Sequence, residues 1–190
     1  METGIEYNDE KHEYKVDGKI IPSVTQIIYN IFPVYFTNEF SAKRGKKIHY
    51  ILEIYDKENK DISDVFTEYY LSGWQKFLSN FKIKFQPNWI EFKLYSQKWG
   101  FAGKPDRLVS IEKKPTIIDI KTGVSNCKNY ALQTAAYQIL VEENLKIKVK
   151  NRWLVMLSHG DYKIQIHQNN SDRTAFISTL NLFKWQKGGK

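Results

Sequence analysis

The sequence predicts an α/β (α+β) fold. Apolar residues recur at helical spacing in several segments, shorter runs alternate as strands do, and turn-forming residues separate them. The plainest helices cover 63–81 and 129–145, and the plainest hairpins cover 101–121 and 152–166. With 190 residues, 42% of them hydrophobic and 15% aromatic, the chain can bury one good core. It shows no repeat, linker or low-complexity stretch, so a single domain over 1–190 is expected.

Residues 1–22 are expected at the edge of the fold as small strands. Ile5, Tyr7, Tyr14 and Val16 alternate loosely around Asn8-Asp9-Glu10 and the turn pair Asp17-Gly18. Ser23, with Gln26 three residues on, is a capping-box pattern that opens a short helix through Ile27, Ile28 and Ile31 to Pro33. The first turn, with Ser23 and Thr25, can also hold a phosphate. A second helix is expected from Asn38 to Tyr55, with Phe40, Ile48, Ile51, Leu52 and Tyr55 on its apolar side. Its first half carries Lys43, Arg44, Lys46 and Lys47, then His49, with Glu53 one turn later. On spacing alone this is a solvated basic face with an incidental histidine.

Ser63-Asp64 is read as the cap of a third helix, whose stripe Phe66, Tyr70, Trp74, Phe77, Leu78 and Phe81 belongs to the core. Pro87 then gives way to a strand over Trp89–Tyr95, in which Glu91 alternates with Trp89 and Lys93. A turn near Lys98–Gly100 leads to Phe101-Ala102-Gly103, where the glycine allows a close backbone approach or a bulge.

The next stretch organises the chain. Gly103-Lys104-Pro105-Asp106-Arg107 precedes the apolar run Leu108, Val109, Ile111, and Thr116-Ile117-Ile118-Asp119-Ile120-Lys121-Thr122-Gly123 follows a polar break at 112–115. A turn centred near Glu112 and Lys113 pairs residues whose numbers sum to about 225, so Asp106 meets Asp119 across the ladder. Strand alternation puts Lys121 on the face of Asp119 and sends Ile118 and Ile120 into the core. Facing carboxylates repel, and a divalent cation held by oxygen ligands, Mg2+ or Mn2+, resolves the conflict. A lone Asp-x-Lys is also compatible with an ordinary surface ion pair.

A helix over Asn129–Leu145 places Gln133 and Tyr137 on one face. Residues 152–157 and 162–166 form a hairpin turning at His159-Gly160-Asp161. Ser171-Asp172 is read as the cap of a last helix through Phe176, Leu180 and Phe183, and 186–190 as a frayed tail.

Net charge is +8 and pI about 9.3, which suggests a polyanionic partner, nucleic acid first. The one cysteine, Cys127, excludes a disulfide framework and any thiolate-held zinc or iron-sulfur site. Met1-Glu2-Thr3-Gly4 opens no apolar signal run, and no stretch is apolar enough to span a membrane. A soluble cytoplasmic protein with no membrane partner is expected.

The order of motifs now matters more than any one of them: a helix with His49, Glu91, Gly-x-x-Asp-Arg, Asp-x-Lys-Thr-Gly, then Gln-x-x-x-Tyr. From Pro22 to Tyr137 this order resembles the RecB-like branch of the PD-(D/E)xK nuclease superfamily. Within that branch it more closely resembles small stand-alone phage and mitochondrial genome-maintenance exonucleases, and Pro22-Ser23-Val24-Thr25-Gln26 is similar to a run often seen near the start of the phage proteins. The resemblance implies a restriction-endonuclease-like core, a central mixed sheet flanked by helices in the order αβββαβ. It implies metal ligation by Asp106, Asp119, the Ile120 carbonyl and His49, with Glu91 as a further ligand or water anchor. Lys121 would position or activate the attacking water, and Gln133 and Tyr137 would hold substrate. The cysteines that carry an iron-sulfur cluster in some relatives are absent, as is a helicase motor.

The expected activity is therefore Mg2+- or Mn2+-dependent hydrolysis of DNA from single-stranded ends or flaps, in a bacterial or phage-infected cell. Phosphate contacts from Lys43, Arg44, Lys46, Lys47, Lys104 and Arg107 imply little sequence specificity. Trp99 and Tyr137 are candidates to stack on unpaired bases, although Trp99 can equally be turn packing. The competing readings are a structure-specific endonuclease, an idle nucleic-acid-binding module and a basic scaffold without catalysis.

Overall fold

The computed structural model describes residues 4–9, 11, 13–33, 39–123 and 128–188. Cys127, Met1 to Thr3, Glu10, Asn38 and the last two residues of the expected tail lie outside them.

The first strands form a meander of their own: β1 (Ile5–Asn8), β2 (Glu13–Val16) and β3 (Lys19–Ile21), all antiparallel. Ser23 then caps α1 (Val24–Ile31) with a complete capping box, its hydroxyl accepting from the Gln26 N–H while the Gln26 side-chain Oε1 accepts from the Ser23 N–H. Next come α2 (Glu39–Glu58), α3 (Glu68–Phe81), a 3-10 turn at Pro87–Trp89, and the small hairpin of β4 (Leu94–Ser96) and β5 (Phe101–Gly103). The chain ends with β6 (Arg107–Ile111), β7 (Lys114–Lys121), α4 (Asn129–Leu145), β8 (Asn151–Ser158), β9 (Asp161–His167) and α5 (Ser171–Gln186).

The central sheet runs β6-β7-β8-β9. β7 and β8 are parallel, with α4 as their crossover, and the two outer pairs are antiparallel, so the sheet is mixed. Alternation divides the core into two layers. Leu108 and Ile117 pack with α1, α4 and α5, whereas Val109, Ile111, Ile118 and Ile120 pack with Ile48, Leu52, Trp74 and Phe77 of α2 and α3. Burying both faces explains the near-continuous apolar run of β7. α3 lies so close to the β8-β9 turn that a Cβ at Gly73 would stand 2.6 Å from the Asp161 carbonyl oxygen.

Three local readings are corrected. The strand expected over Trp89–Tyr95 is only Leu94–Ser96, because Pro87 starts a 3-10 turn and Glu91 takes a left-handed φ of 49°. That turn lets the Glu91 N–H donate to the Asp106 carbonyl at 2.8 Å. Ser63-Asp64 does not cap α3, which starts after Thr67; Asp64 closes the preceding turn by accepting from the Phe66 and Thr67 N–H groups. Phe66 therefore precedes the helix and is 83% exposed, and Phe40, on the first turn of α2, is also exposed. Ser171 and Asp172 lie inside α5; Asn169 accepts from Ser171, and Asp172 pairs with Arg152 at 2.8 Å.

Candidate active site

The β6-β7 ladder has the register read from the sequence, with Arg107 opposite Ile118 and Ile111 opposite Lys114, and its turn residues Glu112 and Lys113 both have positive φ. Asp106, one residue before β6, therefore reaches β7, where its Oδ2 accepts from the Ile120 N–H at 2.6 Å. Asp119 lies in the middle of the buried strand and is fully buried itself. Neither of its carboxylate oxygens has an aligned hydrogen-bond donor, although the Lys121 ammonium forms an ion pair with Oδ2 at 2.6 Å.

α2 brings His49 over this strand. Its Nε2 lies 3.1 Å from the Ile120 carbonyl oxygen, and its Nδ1 lies 3.2 Å from Glu91 Oε1 and 3.7 Å from Asp106 Oδ1. A carbonyl oxygen and carboxylates only accept, so a ring nitrogen bearing a proton donates to them, and a cation bound here would take the place of that proton. His49, Glu91 and Asp106 offer ligand atoms within 4.8 Å of one another. Behind them Arg107 is fully buried, donating from Nε to Asp56 at 2.7 Å and from Nη1 to Glu91 at 3.2 Å. Trp74 Nε1 fixes the other oxygen of Asp56 at 2.8 Å.

The electrostatics follow from burial and crowding. Burial pushes the Asp106 carboxyl up to about 6, and the charges of Asp119 and Glu91 add to this against the opposing pull of His49. Burial alone would lower His49, but Asp106 and the hydrogen-bonded Glu91 outweigh it and hold the imidazole above its ordinary value. For Glu91, burial is overcome by His49, Arg107 and Lys104, and its carboxyl falls to about 2. The Lys121 ammonium is disfavoured by burial yet held well above its usual range by Asp119 and Asp106. Buried cations thus crowd around three acids, of which only Asp119 lacks an aligned hydrogen-bond donor among the described residues.

A groove of about 630 Å3 opens over the cluster. Its lining includes His49, Glu91, Lys104, Asp106, Ile120, Lys121, Gln133 and Tyr137, together with Ser23, Thr25 and Lys46. Gln133 Nε2 donates to the Tyr137 hydroxyl at 3.0 Å, and burial with the nearby Asp119 raises that hydroxyl well above its usual value. Arg44 sits beside the strand end, donating to the Thr122 carbonyl at 3.3 Å.

Other expected contacts lie elsewhere. Arg107 cannot touch a phosphate, because it is sealed beneath the cluster on Asp56 and Glu91. Lys47 points to Asp64, and Lys43 to Glu39 at 2.7 Å. Trp99 packs against the core beside α4 and α5, which bears out the turn-packing reading and not stacking in the groove. Sequence reasoning passed over Asp56, although it stands two helical turns after His49 and so on the same face of α2. It also gave no site role to Tyr7, Tyr14, Tyr29 and Tyr50, which line the groove.

The donor set suits a hard divalent cation. The carboxylates of Glu91 and Asp106 converge with the His49 imidazole, and the Ile120 carbonyl lies 3.1 Å from its Nε2, whereas Asp119 stands outside that trio in an ion pair with Lys121. A mixed sheet carries acids, a lysine and a histidine at the head of its central parallel pair. The sequence matches the family model of the PD-(D/E)XK nuclease superfamily over residues 35–178, and the chain belongs to that superfamily. Among curated proteins none matches. Solved structures with a similar fold include a Eubacterium rectale protein provisionally called an exonuclease: 9% identity, TM-score 0.51, 92% of this chain and 79% of that one covered. The chain also aligns with SSO0001, at 12% identity and TM-score 0.41, over 86% of this chain and 84% of that one.

Proposed function

We propose that this nuclease is an exonuclease that removes nucleotides from single-stranded DNA ends or flaps with little sequence specificity, using Mg2+ or Mn2+. The reading rests most on one observation: Asp119, fully buried, is met only by the Lys121 ammonium at 2.6 Å among the described residues and has no aligned hydrogen-bond donor, near the raised carboxyl of Asp106. Such an arrangement costs stability, and a binding module or scaffold has no use for it. Asp106, Asp119, the Ile120 carbonyl and His49 are the candidate cation ligands, with Glu91 holding His49 and Lys104 in place. A bound cation would neutralise charge on the phosphate and make an attacking water more acidic.

The rest is the work of side chains. Asp119 and Asp106 favour the charged form of Lys121, so its ammonium is placed to orient the water and steady charge building on the phosphate. Gln133 and Tyr137 offer neutral donors beside it, and Lys46, Lys104 and Arg44 take backbone phosphates with Ser23 and Thr25. The kinship with RecB-like phage and mitochondrial exonucleases is part of the same proposal. The experiment compares linear strands labelled at either end with closed circular single strands, in Mg2+, Mn2+ or EDTA. Shortening of linear strands only, and only with metal, is expected. Cutting of the circle would make the protein an endonuclease, and inertness toward every strand would overturn the reading.

A further inference from the structure

The described residues form another groove, of about 810 Å3, which shares no lining residue with the one over the acids. It lies between the end of α4, the segment leading into β8, the end of β9 and the start of α5. β8 enters the sheet beside the start of β7, with Asn151 opposite Thr116, whereas Asp119 and Lys121 stand toward the other end of β7. From Thr116 to Lys121 a strand advances about 17 Å, so this groove opens away from the acid cluster.

Its charge is one-sided. Arg152 is already neutralised by Asp172 at 2.8 Å, and Arg173 by Glu142, the one acid among the described lining residues. Lys146, Lys148 and Lys150 are exposed, and among the described residues none of the three is paired with an acid. Lys146 Nζ donates only to the neutral Glu143 carbonyl, at 2.7 Å. Lysines scattered over an open surface need no partner, but three at one cavity with no acid to answer them set up a standing positive field. Their spacing is also ordered. Burial alternates from exposed Lys148 through buried Val149 to exposed Lys150, and the Lys150 N–H donates to the Pro115 carbonyl at 2.8 Å, so the stretch runs on as β8 does. Alternate residues of such a stretch stand about 6.6 Å apart, close to the step between phosphates of an extended single strand. A lipid surface would want an apolar face beside the cations, and Ile147 and Val149 are turned to the core instead.

We infer that this groove is a second nucleic-acid site, in which Lys146, Lys148 and Lys150 hold the phosphate backbone of a strand away from the point of hydrolysis. The inference rests on the reading of single-stranded DNA as substrate, and gives a place to the part of a long strand that the acid groove does not hold.

The test is a salt titration of binding in Ca2+, read by the anisotropy of a labelled oligothymidylate of about 30 nucleotides, long enough to reach both grooves. Lys148→Glu with Lys150→Glu should weaken binding by about tenfold or more, and should make log Kd against log salt shallower by about 1.4, the share of two phosphates. Lys148→Gln with Lys150→Gln, which adds no new charge, should show the same change of slope, and the pair of arginine replacements should bind like native protein. Lys82 and Lys84 are exposed and line neither groove, so reversing both should leave affinity within about twofold. In Mg2+ the Lys148→Glu, Lys150→Glu protein should show a raised KM for the strand and a native kcat. Native affinity and slope in the glutamate and glutamine pairs, or an equal loss on reversing Lys82 and Lys84, would overturn the inference. Polyglutamate that binds native protein as tightly as the strand does, and the reversed pair no longer, would assign the groove to an acidic protein instead. Binding is read without cleavage: failure of native protein to shorten any strand in Mg2+ or Mn2+ would sink the exonuclease reading and leave this result standing.

Discussion

At the residue level the site is a set of charges held in place by other charges. Arg107, sealed between Asp56 and Glu91, is the hidden member. Arg107→Ala would leave two acids buried without their cation and should destabilise the fold by about 3–5 kcal/mol in urea unfolding; a loss under 1 kcal/mol (about a fivefold change) would contradict its structural role. Asp119→Asn should lower cleavage of a labelled strand by at least about a hundredfold without unfolding the protein, as scored by turnover and melting together. The acids and the lysine were legible in the sequence because strand alternation and the hairpin sum fix their face. Arg107 was misread as a phosphate contact, because a Gly-x-x-Asp-Arg string does not say which face of a strand end turns inward. Trp99 was left undecided for a similar reason: an aromatic in a turn serves core or ligand equally well until its neighbours are known.

Among the elements, β7 and α2 matter most, since one carries Asp119 and Lys121 and the other hangs His49 above them. Their seating depends on α3, whose Gly73 meets the β8-β9 turn without room for a methyl group. Gly73→Ala should therefore cost about 1–3 kcal/mol in denaturant, although alanine favours the helix; unchanged or raised stability would show that the two elements can separate freely. α1, α4 and the β8-β9 hairpin could be read directly, because caps, helical spacing and a tight turn are local signals. The segment around Glu91 could not. Its left-handed turn is held by a bond to the Asp106 carbonyl, a partner remote in sequence, and the strand pattern overrode the turn. The starts of α3 and α5 slipped for the opposite reason: Asp64, read as a cap, closes a turn ahead of α3, and Ser171-Asp172, read as a cap, lies inside α5 behind a turn that Asn169 satisfies.

For the whole molecule, the buried cluster ties stability to pH and to metal. Asp106 and His49 both titrate above their ordinary values in the folded state, so the stability they contribute is complete below the unfolded values and is lost as pH rises through the folded ones, about 6 for Asp106. Glu91 has the opposite sign, its contribution being lost only as pH falls toward about 2. Without metal, melting temperature should therefore fall between mildly acidic and neutral pH. With Mn2+ it should fall less or rise, because the cation binds the deprotonated groups and its effect grows with pH; a metal-induced shift that is the same at both ends of that range would contradict this. The measurement that goes straight to the centre is Mn2+ binding followed by the electron paramagnetic resonance of the free ion, on native protein and on Asp119→Asn. The account predicts that native protein takes up the ion near neutral pH, releases it on acidification, and that the variant takes up little or none. Equal uptake by the two proteins would contradict it.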